Sequence, residues 1–158
     1  MAKITLSGYQ KRQFGGAVPY GNVTTLAFKL ATIANGSAVG ADSTSAIAAG
    51  DVLDLGPLPE GFRLDDAQLL ITTGMTATIT GSLGFAYEDG VDSAEVPQDA
   101  AYFGTGLALA TAARVRAAGT KNVILAKPAR LILTTAVAAN AKVSDITVLV
   151  SGELTGPR

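Results

Sequence analysis

The carboxylates that crowd closest along this 158-residue chain are Asp89, Asp92, Glu95 and Asp99, in DGVDSAEVPQD. A loop of this kind could hold calcium, which takes only oxygen ligands. The spacing departs from the EF-hand pattern, because a glycine follows the first aspartate directly and no bidentate glutamate closes the loop, so a solvated acidic loop is expected. Asp65 and Asp66 form the next acidic pair. On a strand, neighbouring side chains point to opposite faces, which predicts that these two cannot share a proton or flank a glycosidic bond. The serines have no histidine to act as base, and neither SxxK nor GxSxG occurs. Hydrolase chemistry is therefore not expected. Gly81-Ser-Leu-Gly, the one run with a phosphate-loop flavour, lies inside a strand pattern and lacks the lysine that would follow.

Composition excludes more. The chain has no cysteine and no histidine, which removes disulfides, thiolate and imidazole metal ligands, cysteine nucleophiles and the commonest neutral-pH base. No catalytic residue, cofactor or metal is expected. Twelve Lys and Arg face thirteen Asp and Glu, so nothing draws the chain electrostatically to nucleic acid or to an anionic membrane. Charged residues are only 16% of the total and hydrophobic types 48%. A surface so poor in charge is expected to lie partly against a partner. No apolar run reaches the ~20 residues of a membrane span, and MAKITLSGYQKRQ lacks the apolar core of a signal peptide. The expectation is a mature chain that starts at or near Met1 and is made in a cytoplasm.

What remains is a set of side chains suited to contact. Arg114 and Arg116 stand two apart, which puts them on one face if that stretch is extended. With Lys11 and Arg12 they are candidates either for solvent-facing charge or for pairing with an acidic partner surface. Tyr9, Phe14 and Tyr20 lie in a glycine-rich stretch with little local core. They would either tuck against the domain or anchor onto a neighbour.

The elements that must position these residues are strands. Gly50 to Tyr87 reads as three of them, Asp51 to Leu55, Arg63 to Thr73 and a third in which Ile79, Gly81, Leu83, Phe85 and Tyr87 share one face. A turn is expected at Pro57-Leu58-Pro59-Glu60-Gly61, and a hairpin between LLITT and TATITGSLGFAY. Asn22 to Thr32 alternates as a half-buried strand, while residues 34 to 49 are small and polar enough to form a loop. Asn122 to Ala126, Ala129 to Thr135 and Asp145 to Gly152 supply three more strands, and Leu131-Ile-Leu-Thr-Thr echoes Leu69-Leu-Ile-Thr-Thr, which suggests a second hairpin. GLALATAARVRAA, residues 106 to 118, could be helix or strand. A turn of helix is also conceivable at Tyr102-Phe103. The whole predicts an all-β fold, a β-sandwich or jelly roll of about eight strands with at most one short helix. Residues 1–21 are expected to be an extended N-terminal arm that brings few core residues, and residues 22–158 a single sandwich domain.

The GDVLDLGPLPEGFRL segment, the GSLGFAYEDG segment, AAYFGTGLALATAARVRA and the closing ARLILTT and DITVLVSGEL pair resemble the small all-β decoration, or cement, proteins that coat the heads of tailed bacteriophages. The resemblance implies a non-enzymatic protein in the virion, on the outer face of the capsid, that clamps neighbouring copies of the major capsid protein. It also implies self-association as a homodimer or homotrimer on a local symmetry axis. It carries no active-site residues with it. Two other readings stay open: a carbohydrate-binding jelly roll, for which the absence of tryptophan leaves few stacking platforms, and another phage part such as a tail-tube or head-completion subunit.

Overall fold

The computed structural model describes residues 1–6, 23–117, 119 and 121–156. Ten strands account for nearly all of its regular structure: β1 (Lys3–Thr5), β2 (Val23–Thr32), β3 (Val52–Leu58), β4 (Phe62–Thr73), β5 (Thr80–Tyr87), β6 (Asp99–Ala108), β7 (Ala113–Ala117), β8 (Val123–Ile124), β9 (Ala129–Ala136) and β10 (Ser144–Leu154). No helix forms among the described residues. One sheet has the order β1-β3-β9-β5-β6 and the other β2-β10-β4-β7, with β8 alongside β4.

Leaving β1 and β8 aside, the pairs are nested. β2 lies against β10, β3 against β9, β4 against β7 and β5 against β6. A chain folded back on itself into such pairs and then rolled so that successive pairs fall in alternate sheets is a jelly roll. The sandwich expectation therefore holds, with eight strands forming the roll.

The alternation that predicted the strands sets the inner faces. Along β10 every second residue from Ser144 to Leu154 is buried, and β2 buries Leu26, Phe28, Leu30 and Thr32. Phe28, Phe62, Phe85 and Phe103 fill the space between the sheets. Full burial of each contributes roughly 1.5–3 kcal/mol. β1 joins this body as well. It pairs in parallel with Val52–Asp54, and Ile4 and Leu6 are buried in the core. The short apolar run Ile4 to Leu6 reads as a strand in the sequence, and it forms one at Lys3–Thr5 that carries Ile4 and Leu6 into the core.

Several local readings are corrected. LLITT and TGSLGFAY are not a hairpin: β4 and β5 belong to different sheets, as do β9 and β10. Both Thr-Thr endings come just before a crossing between sheets, which a hydrophobic pattern cannot distinguish from a hairpin because each strand presents one inner face in either case. Pro57 lies inside β3, and the turn comes after Leu58. It is tolerated because β1 covers only Val52–Asp54, so β3 is an edge where the proline stands. Residues 106–108 end β6 and residues 113–117 form β7, with a short non-helical connection between them, and Gly106 at φ 66° lies in the left-handed region that interrupts a helix. Tyr102 and Phe103 lie within β6. The Asn122 to Ala126 strand shrinks to Val123–Ile124.

Candidate functional site

Arg114 and Arg116 project from β7 onto the outer face of the second sheet, side by side as an extended strand requires. Arg116 Nε lies 3.1 Å from Asp66 Oδ2 and 3.3 Å from Oδ1. Arg114 Nη1 donates to Gln68 Oε1 at 3.1 Å. Among the described residues Arg114 has no carboxylate partner. The pair the sequence singled out is brought together, but one member is already paired within the chain. Tyr9, Lys11, Arg12, Phe14 and Tyr20 lie outside the described residues.

Asp65 and Asp66 share the outer face, contrary to the strict alternation assumed from sequence. The register of β4 against β10 shifts between Ser151 and Gly152, so Leu64 and Asp66 oppose consecutive residues and Asp65 is the extra residue of a bulge. They serve different partners. Arg63 binds Asp65 at 2.7 and 3.0 Å and Glu153 at 2.6 Å. The hydrogen bond to Asp65, reinforced by both negative charges, raises the Arg63 guanidinium pKa above its ordinary value.

On the outer face of the first sheet a row of charges crosses four adjacent strands or their ends. Lys3 Nζ stands 3.5 Å from Asp54 Oδ2, Arg130 grips Asp54 with Nη2 at 2.9 Å and Nε at 3.0 Å, and Arg130 Nη1 reaches Glu88 at 3.7 Å. Asp54 and Arg130 are both buried. A buried pair of this geometry is costly to break from one side, because the remaining charge loses its compensation. Nothing in the spacing of Asp54 and Arg130 along the chain announces it; only the β3–β9 register does.

The connections between strands gather at two ends. At one end, residues 33–51, 74–79, 109–112 and 137–143 each carry the chain from one sheet to the other. Asn140 is their shared fixture. Its Oδ1 accepts from Thr76 N at 3.1 Å and Thr76 Oγ1 at 3.3 Å, while Nδ2 donates to Thr32 Oγ1, Gly36 O and Lys142 O. Its backbone N–H donates to Ile47 O at 2.8 Å. A Cβ on Gly36, which has φ +85°, would stand 2.1 Å from the Asn140 carbonyl oxygen, so that approach requires glycine. Around this buried fixture Ile33, Val39, Val137 and Val143 are 51–68% exposed. Among the described residues of these connections the exposed charged side chains are Asp42 and Lys142, since Asp51 is buried and accepts from Ala2 N and Ala48 N, and the Lys29–Asp145 pair lies beside them on β2 and β10.

At the opposite end, residues 59–61, 88–98 and 121–128 carry Glu60, Glu88, Asp89, Asp92 and Glu95 against Lys121 and Lys127. An open cleft lined by Glu60, Glu88, Asp89, Ala126, Lys127 and Pro128 lies there. Lys127 donates to Asp89 at 2.9 Å and sits 5.2 Å over the Tyr87 ring. Asp89 is held below the usual carboxylate range, first by the Val91 N–H and then by Lys127. Asp92 accepts from the backbone N–H groups of Ser93 and Gln98, which folds the loop on itself. The acidic loop is thus organised by its own backbone, and no metal-binding cluster occurs among the described residues.

Two tyrosines close the sandwich edge near this end. Tyr102 donates from β6 across to the carbonyls of Leu64 and Lys121, and Tyr87 donates to Val96 O at 2.6 Å. Burial raises both phenol pKa values above the ordinary one. Both hydroxyls are taken up by backbone carbonyls of neighbouring segments, which makes them latches.

No protein-family model matches the sequence, and no curated protein matches it. Solved structures do. A chain in the capsid of Ralstonia phage GP4 superposes with a TM-score of 0.66 at 22% identity, over 99% of this chain and 100% of that one. A chain of the cyanophage Pam1 capsid asymmetric unit superposes with a TM-score of 0.60 at 17% identity, over 94% of this chain and 99% of that one. At these identities the likeness establishes the fold.

Proposed function

We propose that this chain is a non-enzymatic structural protein of a tailed-phage virion, one that binds the outer surface of the head and cements neighbouring major capsid subunits. The observation that carries the reading is the pairing of whole chains. The phage GP4 capsid chain is matched along 100% of its length by 99% of this one, so the likeness is to a complete subunit of this size rather than to one domain of a larger shell protein. The body suits the task. A two-sheet roll without helix among its described residues is stiff, and a surface sparse in charge has little to desolvate when several neighbours cover it.

Within this reading Tyr9, Lys11, Arg12, Phe14 and Tyr20, which follow β1 in the sequence, are the candidate clamp contacts, and Arg114 is the candidate cation for an acidic capsid surface. Arg116 contributes less because Asp66 already compensates it. The test is sedimentation of the purified protein with phage heads assembled without it. Saturable co-sedimentation is expected, together with protection of the heads against heat, as for any ligand that prefers the assembled lattice. Arg114→Glu should weaken binding more than Arg116→Glu. Failure of the folded protein to co-sediment at any concentration would overturn the cement reading and favour a tail or glycan-binding role.

A further inference from the structure

We infer that Asn35 is a self-modification site. Its side-chain amide is converted to aspartate and isoaspartate through a cyclic imide formed with the Gly36 nitrogen, and the native hairpin around the pair holds this reaction off until the loop opens. The site lies at the end of the roll gathered around Asn140, the neutral end, whose connections expose Asp42 and Lys142. The 88–98 loop marks the opposite, acidic end. The inference does not rest on the cement reading.

The chain has four asparagines, and the residues that follow them set them apart. Asn22 and Asn122 precede valines, whose branched side chains crowd the following nitrogen. Asn140 is buried with its carboxamide fully engaged. Asn35 alone precedes a glycine, and it is exposed. With no Cβ on Gly36, the Gly36 nitrogen meets no steric barrier as an internal nucleophile. In the reaction that nitrogen gives up its proton to solvent base and bonds to Asn35 Cγ, and the Cγ–Nδ2 bond breaks with release of ammonia. Water then opens the imide. Addition at Cγ restores the main chain with an aspartate at position 35, whereas addition at the main-chain carbonyl leaves the chain running through Cγ as isoaspartate.

The fold holds the two reacting groups apart. Gly36 N–H donates to Ile33 O at 2.9 Å, Ile33 N–H donates to Ser37 O at 3.0 Å, and Thr32 bridges Ala38. With Gly36 at φ +85°, this is a three-residue hairpin loop, a type I turn closed by a left-handed glycine. Asn35 takes the third position of that turn, where ψ is about 0°. At that angle the Gly36 nitrogen eclipses the Asn35 nitrogen. Attack needs it rotated onto the Cβ side, within about 3–3.5 Å of Cγ. The carboxamide is tied down as well, because Oδ1 accepts from Ser37 N–H at 2.9 Å and Nδ2 donates to Thr44 O at 3.4 Å. The hairpin in turn is sealed onto the Asn140 fixture: Gly36 O accepts from Ile47 N–H at 3.2 Å and from Asn140 Nδ2 at 3.4 Å. Turning Asn35 into attack breaks these bonds together, so the rate follows the opening of the neutral end.

The two products return to the fold differently. Aspartate keeps the backbone length and suits a turn position. Isoaspartate adds a methylene to the backbone between residues 35 and 36 and leaves a free carboxylate, so the short loop no longer brings Gly36 against Asn140. That contact has no slack, since even a Cβ on Gly36 would stand 2.1 Å from the Asn140 carbonyl oxygen. A copy that opens and forms isoaspartate is therefore unable to rebuild the neutral end. Asp89-Gly90 at the acidic end is built alike, with Gly90 N–H on Tyr87 O at 3.1 Å and Asp89 Oδ1 accepting from Val91 N–H. Its carboxyl is held ionised, which makes it a poor target for a nitrogen nucleophile. The modification thus separates copies whose neutral end has stayed shut from copies in which it has opened.

The test is incubation of the purified protein in warm, mildly alkaline buffer, with and without unfolding concentrations of urea, followed by peptide mapping and enzymatic methylation of isoaspartate. In urea Asn35 should convert before the other asparagines, read as the mass gain that replaces its NH2 by O–H. In buffer the same conversion should be at least about tenfold slower, and a folded Asn140→Ala should recover much of that difference. Asn35→Gln should abolish conversion at this position, because the longer side chain closes the ring poorly. Asn35→Asp, the product that keeps the main chain, should melt close to the wild type. The isoaspartate fraction, separated after urea and returned to buffer, should melt clearly lower or stay unfolded. Equal rates in buffer and urea overturn the inference, and that comparison stands whether or not Asn140→Ala folds. Conversion in urea that begins at Asn22 or Asn122 overturns it as well, as does protection left unchanged in a folded Asn140→Ala. Isoaspartate chains that refold and melt as the wild type does overturn the one-way step.

Discussion

The two ends of the roll solve the problem of connecting strands by different means. At the neutral end all four connections pass between the sheets, and their polar groups are withdrawn from water and matched to one another through Asn140, Thr32 and Ser144. Thr78 and Val137, the two described non-glycine residues with positive φ, both lie there. At the acidic end the longest connection, 88–98, joins β5 to β6 within one sheet. It is held by exposed ions and by carboxylates that cap their own backbone, with Lys127, Asp89 and Asp92 as the main participants. Buried polar fixtures are expensive to disturb and impose one geometry, whereas solvated ions are cheap to disturb and screened by salt. The first arrangement makes a rigid end, and the second one that salt and acid can loosen.

The sharpest way to break this contrast is Asn140→Ala. The substitution leaves the Thr76 N–H without its partner, while the Gly36 carbonyl keeps Ile47 N and the Thr32 hydroxyl keeps Lys142 O and Ser144 N. With about 1–3 kcal/mol lost for a group left unsatisfied, a cost in that range is expected. Urea denaturation should show a lower midpoint at unchanged slope. A cost below about 1 kcal/mol would mean that the neutral end is held by its backbone alone and is no more rigid than the acidic one.

How far the sequence foretold these two ends depends on which property is asked for. Most strands were legible because β2, β4, β5 and β10 alternate, and alternation is a local consequence of the pleat. Their assignment to sheets was not legible, since Leu69-Leu-Ile-Thr-Thr and Leu131-Ile-Leu-Thr-Thr carry the same pattern whether the chain turns back or crosses over. The bulge at Asp65 was hidden for a similar reason. One extra residue shifts the phase, and its only trace is that two charges adjoin. Asn140 in VAANAKV looks like any polar loop residue, because its five partners come from segments 32, 36, 76 and 142 that only the fold assembles.

A smaller effect of opposite sign tests how much strain the neutral end stores. Val137→Asn should stabilise the chain by about 0.5–1 kcal/mol, because asparagine accepts the left-handed conformation that valine resists. Urea denaturation beside the wild type measures it, and an unchanged or lower midpoint would show that the turn holds no strain that asparagine relieves.

The smallest effect belongs to the acidic end. Asp89 accepts from the Val91 N–H at 2.9 Å and from Lys127 Nζ at 2.9 Å, and the backbone donor is the larger cause of its lowered pKa. Since its folded-state pKa lies below the unfolded one, the stabilisation it gives is complete above the unfolded value and disappears as pH falls through the folded value. Both groups are open to water, so the effect on global stability should be smaller than that of either substitution at the neutral end. The informative measurement is local: an NMR titration of the Asp89 carboxyl in the wild type and in Lys127→Ala. Removing the lysine should move the titration upward yet leave it below the usual aspartate range, because the Val91 N–H remains in place. The Tyr87 ring, which loses the cation above it, should shift in the same spectra. A carboxyl that returned fully to the ordinary value would show that the ion pair, not the backbone, organises this loop, and that salt should loosen it as readily as acid does.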